Sequence, residues 1–290
     1  MTAVAEAAPA VIQPGVYDIP AEVYHADPVP GRSLSSSGAR KLLAPSCPAL
    51  FRYEQLNPPP AKKVFEVGTA AHKLVLGVGP DLVRIDAEEW RSNAVKAEVA
   101  AVRAAGKVPL KPSEYEQVHG MAAAIRRHPW AGPLLSPERG AAEQTLLWQD
   151  AASGVWRRAL VDHLPYPVPW RRMVVADYKT TTSAATEAVR KAVFNYGYHC
   201  QAAWYLDGVE EVGLAESPVM VFVFQEKTAP YLINVVQLDA DAIRIGRERN
   251  RRAINLYREC VEADSWPDYG HQISQISTPR WAAGDSEVGI

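Results

Sequence analysis

The stretch "VVADYKTTT", residues 174–182, places an acid and a base two residues apart at the end of an apolar run. The run predicts a β-strand. Alternation then sets Asp177 and Lys179 on one side of it and Tyr178 on the other. An ion pair at the exposed end of a strand accounts for such a pair, and so does a metal-dependent nuclease centre. Asp-x-Lys is too short to choose between them, and the rest of the chain must decide.

The chain has 290 residues, enough for one large α/β domain or two small ones, with 48% hydrophobic and 22% charged residues. No apolar run approaches the ~20 residues of a membrane span. The opening "MTAVAEAAPAVIQPG" has neither the basic start nor the continuous apolar stretch of a signal peptide, so a cytoplasmic protein without a membrane partner is expected. Cys47, Cys200 and Cys260 are odd in number and widely scattered. They form no C-x-x-C pair and fall short of the four thiolates of an iron–sulfur cluster, so they are expected to be reduced and structural. A net charge of −2 gives no global signal for nucleic acid. Basic clusters occur locally at Lys62-Lys63, Arg157-Arg158, Arg171-Arg172 and in "RERNRR" (247–252).

Residues 1–20 read as a flexible arm, 21–270 as one domain and 271–290 as a Gly/Ser/Pro tail. Ser35 to Ser37 are N-cap candidates for a short helix. "VFEVGTAAHKLVLG" (64–77) predicts a helix with Phe65, Thr69, His72 and Leu76 on one face. Residues 80–112 suggest a lid or arm. Ser113 and Glu116 have capping-box spacing, and Pro129 closes the helix they would start. The runs 143–150, 154–164 and 171–181 predict an antiparallel three-strand meander. A helix over roughly 184–207, two strands ("PVMVFVFQEK", "YLINVVQL") and a long charged helix from Asp239 to about Glu262 complete an α/β domain with a mixed sheet flanked by helices.

Within this layout Asp162 precedes Asp177 by fifteen residues across one loop, so the two carboxylates can meet at one end of a hairpin. Converging carboxylates repel unless a cation sits between them, and hard oxygen donors suit Mg²⁺ or Mn²⁺. Glu143, on the neighbouring strand, could add a third. His72 lies on a helix face one turn after Gly68, whose missing side chain leaves room for a close approach. Gln201 and Tyr205, four apart, share a helix face.

The ordered set Gly68–His72, Asp162, Asp177-Tyr178-Lys179 and Gln201–Tyr205 resembles the RecB-like branch of the PD-(D/E)xK nuclease superfamily, a restriction-endonuclease-like fold. "LSSSGARKLLAPSCPALFRYE", "FEVGTAAHKLVLG" and "YGYHCQAAWYLDGV" look like the exonuclease VIII (RecE-like) phage and prophage family, over about residues 24–240. That resemblance implies a Mg²⁺-dependent exonuclease, with Mn²⁺ able to substitute. It would degrade linear double-stranded DNA from 5′ ends and leave 3′ single strands for a RecT-like annealing partner, working as a homo-oligomeric ring. It also implies that His72, Asp162, Asp177 and the Tyr178 carbonyl hold metal, that Lys179 is catalytic, and that Gln201 and Tyr205 orient DNA or the site. Glu143 matches a less regular position. A superfamily endonuclease or single-strand nuclease is the alternative enzyme, and a DNA-binding module without catalysis the alternative class.

Overall fold

The computed structural model describes residues 13–57, 66–270, 273 and 275–278. In chain order the elements are β1 (Gly15–Tyr17), α1 (Ala21–Ala26), β2 (Leu34–Ser35), α2 (Ser36–Leu42), α3 (Pro48–Leu56), α4 (Glu66–Leu76), β3 (Leu82–Arg84), α5 (Asn93–Ala104), β4 (Val108–Leu110) and α6 (Pro112–Arg127). They continue with α7 (Ala131–Leu134), β5 (Gly140–Gln149), β6 (Trp156–Pro165), β7 (Val174–Thr181), α8 (Thr186–Asn195), α9 (Tyr198–Glu211), β8 (Val219–Glu226), β9 (Ile233–Gln237) and α10 (Ala240–Ala263). Seven strands form one mixed sheet in the order β1-β5-β6-β7-β8-β9, with β2 pairing β6, while β3 and β4 form a separate parallel pair.

The expected meander β5-β6-β7 is present and antiparallel. The continuous apolar run of β8 pairs in parallel with β7, as befits a strand covered on both faces. Alternation divides these strands between two cores. Val175, Met220, Phe222 and Phe224 face one layer, in which α2, α3, α9 and α10 contribute Leu42, Phe51, Trp204 and Ile254. Ala176, Tyr178, Val221 and Val223 face the other, in which α4, β4, α6 and α7 contribute Ala70, Leu110, Met121 and Ala131. Gly246 is required where α10 crosses α9, because a Cβ there would stand 2.2 Å from the His199 carbonyl oxygen.

Several local expectations change. Ser35 is the N-cap of α2 and accepts from Gly38 N at 3.1 Å. For α6 the cap is Lys111, whose N–H donates to Glu114 Oε2. Ser113 lies inside that helix and its hydroxyl donates to Glu88, so the Ser113/Glu116 spacing is not the cap. The single helix expected over 184–207 is two, broken at Gly197, which adopts φ +65°. Residues 80–112 are not a free lid: Val108 and Leu110 are buried against α4 and α6. Of the expected arm, residues 1–12 lie outside the described residues, while Gly15–Tyr17 pairs with β5. Most of the expected tail also lies outside them, as do Lys62, Lys63 and Phe65. The three cysteines are free and buried. No helix among the described residues is long and apolar enough to cross a membrane.

Candidate active site

The fork between β6 and β7 makes the site. The two strands pair at a single register point, His163 with Ala176, and then diverge. Into the opening gap Asp162 sends its carboxylate, whose Oδ2 accepts from Tyr178 N at 2.9 Å. In an extended strand the N–H and C=O of one residue face the same edge, so the Tyr178 carbonyl faces that gap too. On the other side of β6, Ala142 pairs with His163 and Gln144 with Val161, which leaves Glu143 opposite Asp162 where the ladder is interrupted. Glu143 has φ +51°, a left-handed backbone rare for a residue with a Cβ and of the kind that concentrates at functional sites.

His72, from α4, bridges the two acids. Its Nε2 lies 3.4 Å from Asp162 Oδ2 and its Nδ1 3.5 Å from Glu143 Oε1. It is partly exposed. A cavity of about 410 Å³ opens here, lined by Gly68, His72, Glu143, Tyr178, Lys179 and Thr180. A Cβ on Gly68 would meet only Thr180 Oγ1, at an ordinary 3.5 Å. The glycine is therefore not demanded by protein packing, and what its bareness leaves open is the cavity.

Asp177 and Lys179 share the opposite face of β7, as the alternation requires. Asp177 is wholly buried, and its Oδ1 accepts from Gln201 Nε2 at 2.6 Å. Lys179 Nζ stands 2.5 Å from Asp177 Oδ2, a buried ion pair. Tyr205 is buried beside this cluster: its hydroxyl donates to the Leu160 carbonyl at 2.7 Å, next to Gln201 and within the field of Asp177 and Asp162. Gln201 thus orients the carboxylate, while Tyr205 anchors β6 two residues before Asp162. Tyr205→Phe is expected to cost about 1 kcal/mol of stability through the lost bond, with cleavage reduced far less than by a change at Asp162. Paired denaturant melts and digestion rates check this.

The electrostatics describe a centre short of positive charge. Burial, then the Asp162 charge, push the Asp177 carboxyl up to about 6 despite Lys179 and His72. Burial acts the same way on Asp162, but the bond and charge of His72, followed by Lys179 and the Tyr178 N–H, outweigh it and hold Asp162 below the usual carboxylate range. Burial would lower both His72 and Lys179, yet the same acids raise them. Among the described residues no three His, Cys, Asp or Glu side chains are gathered into a ready-made chelate. The donor set nonetheless fits a hard divalent cation: two acids of β6 and β7, the Tyr178 carbonyl beside them, and His72 with Glu143 at the rim. Because folded Asp177 keeps its proton up to about pH 6, a cation must displace that proton in acid. Mn²⁺ affinity is therefore expected to be at least tenfold weaker at pH 5 than at pH 7. Titration calorimetry giving equal affinities would contradict this.

Two participants carry weaker sequence signals. Tyr198 packs its ring 5.3 Å from Lys179 Nζ, and its only signature is its place three residues before Gln201 on the same helix face. Gln225 accepts from the Tyr178 hydroxyl at 2.5 Å and donates to the Met121 carbonyl; the clue is one amide ending the apolar run of β8. Two basic clusters prove structural. In the first, Arg157 is buried between Trp148 and Trp204, and Arg158 pairs with Asp27. In the second (247–252), Arg247 and Arg251 pair with Asp207 and Asp150.

A mixed sheet flanked by helices, with Asp162 facing Asp177-x-Lys179 across a strand fork, defines a PD-(D/E)xK nuclease-like fold. The chain belongs to the family described as "PDDEXK-like domain of unknown function (DUF3799)", whose model matches residues 35–279. That assignment is to the superfamily and this family, coarser than the exonuclease VIII likeness read from the motifs. Among solved structures the fold is similar to that of a candidate exonuclease from Eubacterium rectale, with a TM-score of 0.57 and 13% identity over 94% of this chain and 100% of that one. No curated protein sequence matches the chain.

Proposed function

We propose that this protein is a Mg²⁺-dependent exodeoxyribonuclease that degrades linear double-stranded DNA from 5′ ends. The observation that carries the nuclease reading is the buried Asp177 held between Gln201 and Lys179, facing Asp162 across the β6/β7 fork. Preference for ends, the 5′→3′ direction, a ring of identical subunits and delivery of 3′ single strands to a RecT-like annealing protein in recombination rest on the motif resemblance. Asp162, Asp177 and the Tyr178 carbonyl would hold Mg²⁺ or Mn²⁺, with His72 and Glu143 beside them. When bound, the cation would supply Lewis acidity and neutralise charge on the scissile phosphate. The chain's own residues do the rest. Gln201 fixes the Asp177 carboxylate, His72 and the Tyr178 N–H fix Asp162, and the Lys179 ammonium is placed to meet charge that develops on the phosphate.

Incubating the protein with linear and circular plasmid, with Mg²⁺ and with chelator, tests the proposal. Loss of linear DNA alone, only with metal and from 5′-labelled ends first, is the expected result. Cut circles would replace the proposal with an endonuclease, and binding without cutting would replace it with a DNA-binding module.

A further inference from the structure

A large cavity lies at the other end of β7 from the site. About 900 Å³ opens between α7, the β6–β7 loop and the turn before β8, within the range of ligand-binding clefts. Its apolar wall includes Pro165, Pro167 and Leu214, and its rim carries Arg139, Arg171 and Arg172. All three arginines are exposed. None pairs with a carboxylate among the described residues; Arg172 instead spends its Nε on the Ser217 carbonyl, at 2.6 Å. Two acids, Glu138 and Glu216, share the rim. The loop reads "PYPVPWRR" (165–172), in which alternate prolines restrict the backbone. This stiff segment displays Tyr166 at 55% exposure and Trp170 at 103%, and Trp170 is held at φ +63°. A bulky residue kept in the left-handed region and wholly in solvent is a strained arrangement with no packing to account for it.

We infer that this groove and the exposed loop at its edge bind single-stranded DNA, stacking unpaired bases on Tyr166 in the groove and on Trp170 beside it while Arg139, Arg171 and Arg172 meet the phosphates. The assignment rests on the nuclease proposed above. Aromatic faces serve unpaired bases, since a duplex buries the faces of its own bases in the stack, and stacking contributes ~1–3 kcal/mol per base without sequence preference. Val174, in the groove lining, stands three residues before Asp177 on β7, or ~10 Å along an extended strand. A strand left unpaired by cleavage of its complement is therefore released within a few nucleotides of the groove. A pre-ordered proline loop also loses little freedom on binding.

The test uses the full-length protein in Ca²⁺, with fluorescent oligo(dT) and a blunt duplex as probes, comparing wild type with the double variant Trp170→Ala/Arg171→Glu. Both changes are at exposed positions, and an unchanged melting temperature confirms folding. Single-strand affinity is expected to fall at least tenfold, the equivalent of ~1.4 kcal/mol, while duplex affinity changes less than threefold. Wild-type single-strand binding is expected to weaken with salt at a log–log slope no steeper than about −2, from three phosphates. Photocrosslinking of 5-iodouracil DNA is expected to label the 166–172 peptide. Unchanged single-strand affinity in the variant would overturn the inference, as would equal losses for strand and duplex. A variant that changes only the oligomer mass in light scattering would instead make the groove a subunit contact and overturn it too. Wild type that binds oligo(dT) through this loop but cuts no DNA would leave the groove standing and remove the nuclease reading.

Discussion

Asp177→Asn is expected to abolish DNA cleavage and Mn²⁺ binding while leaving a folded protein whose metal-free stability at pH 7.5 is no lower than that of wild type. The asparagine keeps the shape and the Oδ1 acceptor that Gln201 Nε2 now uses, so the local packing survives. It removes the carboxylate charge that Lys179 pairs with, and with it a hard ligand that an amide oxygen replaces poorly. The loss of rate should exceed the ~10²–10³-fold that removal of a single transition-state donor costs. The stability expectation follows from the sign of the titration. Folded Asp177 has its carboxyl raised to about 6, above the ~3.9 of an unfolded chain. Ionising it is therefore unfavourable to folding: there is no penalty below about pH 4, it grows as pH rises through 4 to 6, and it is full at pH 7.5. Two units correspond to roughly 3 kcal/mol, offset in the variant by the partner that Lys179 loses. Calorimetric Mn²⁺ titration and thermal melts at pH 5 and 7.5 read both effects. A variant that binds Mn²⁺ as tightly as wild type, or cleaves within tenfold of it, would remove Asp177 from the metal centre.

Much of this centre was legible because period-2 alternation is local. Asp177 and Lys179 share a face, and Tyr178 the other, whatever the rest of the chain does. The antiparallel meander was equally legible, since three β-rich runs separated by short turns have few ways to pair. Helix boundaries were less so. "NYGYHC" has no proline to announce the break between α8 and α9, where Gly197 is left-handed and Arg40 packs so closely that a Cβ would stand 2.6 Å from its Cδ. Gln201 and Tyr205 were legible as a pair on one face of α9, but their partners were not: the Gln201 amide donates to Asp177 and the Tyr205 hydroxyl to the Leu160 carbonyl of β6. The basic clusters fail for a related reason. Charge runs in a sequence do not reveal their partners, and Arg157-Arg158 is consumed by Asp207, Asp27 and two tryptophans. Arg171-Arg172, at the end of a proline-rich loop, forms no ion pair among the described residues and stays exposed.

Lys179→Ala is expected to separate binding from chemistry. The ammonium is buried enough to be held in one place: Asp177 Oδ2 lies 2.5 Å away on one side and the Tyr198 ring 5.3 Å away on another. Burial would depress its proton affinity, but Asp177 and then Asp162 raise it, so it stays protonated at any pH at which the protein works. A protonated amine has no lone pair and cannot ligate a cation. Its removal therefore takes nothing from the metal's donors and deletes a positive charge a few ångströms from them. At pH 8, where Asp177 has already given up its proton, metal affinity is expected to hold or rise. DNA affinity should fall only modestly, since one phosphate contact among many contributes little. The turnover rate should fall ~10²–10³-fold, because the lost group is a fixed donor aimed where charge develops on the phosphate. Single-turnover digestion of end-labelled duplex gives the rate, filter binding in Ca²⁺ gives the affinity, and Lys179→Arg asks whether charge alone suffices. A guanidinium is broader than an ammonium and cannot occupy the narrow space between Asp177 and Tyr198 in the same way, so that variant should recover affinity without recovering the rate. Cleavage by Lys179→Ala within a few-fold of wild type would reduce the Asp177–Lys179 pair to the strand-end ion pair that its two-residue spacing also allows.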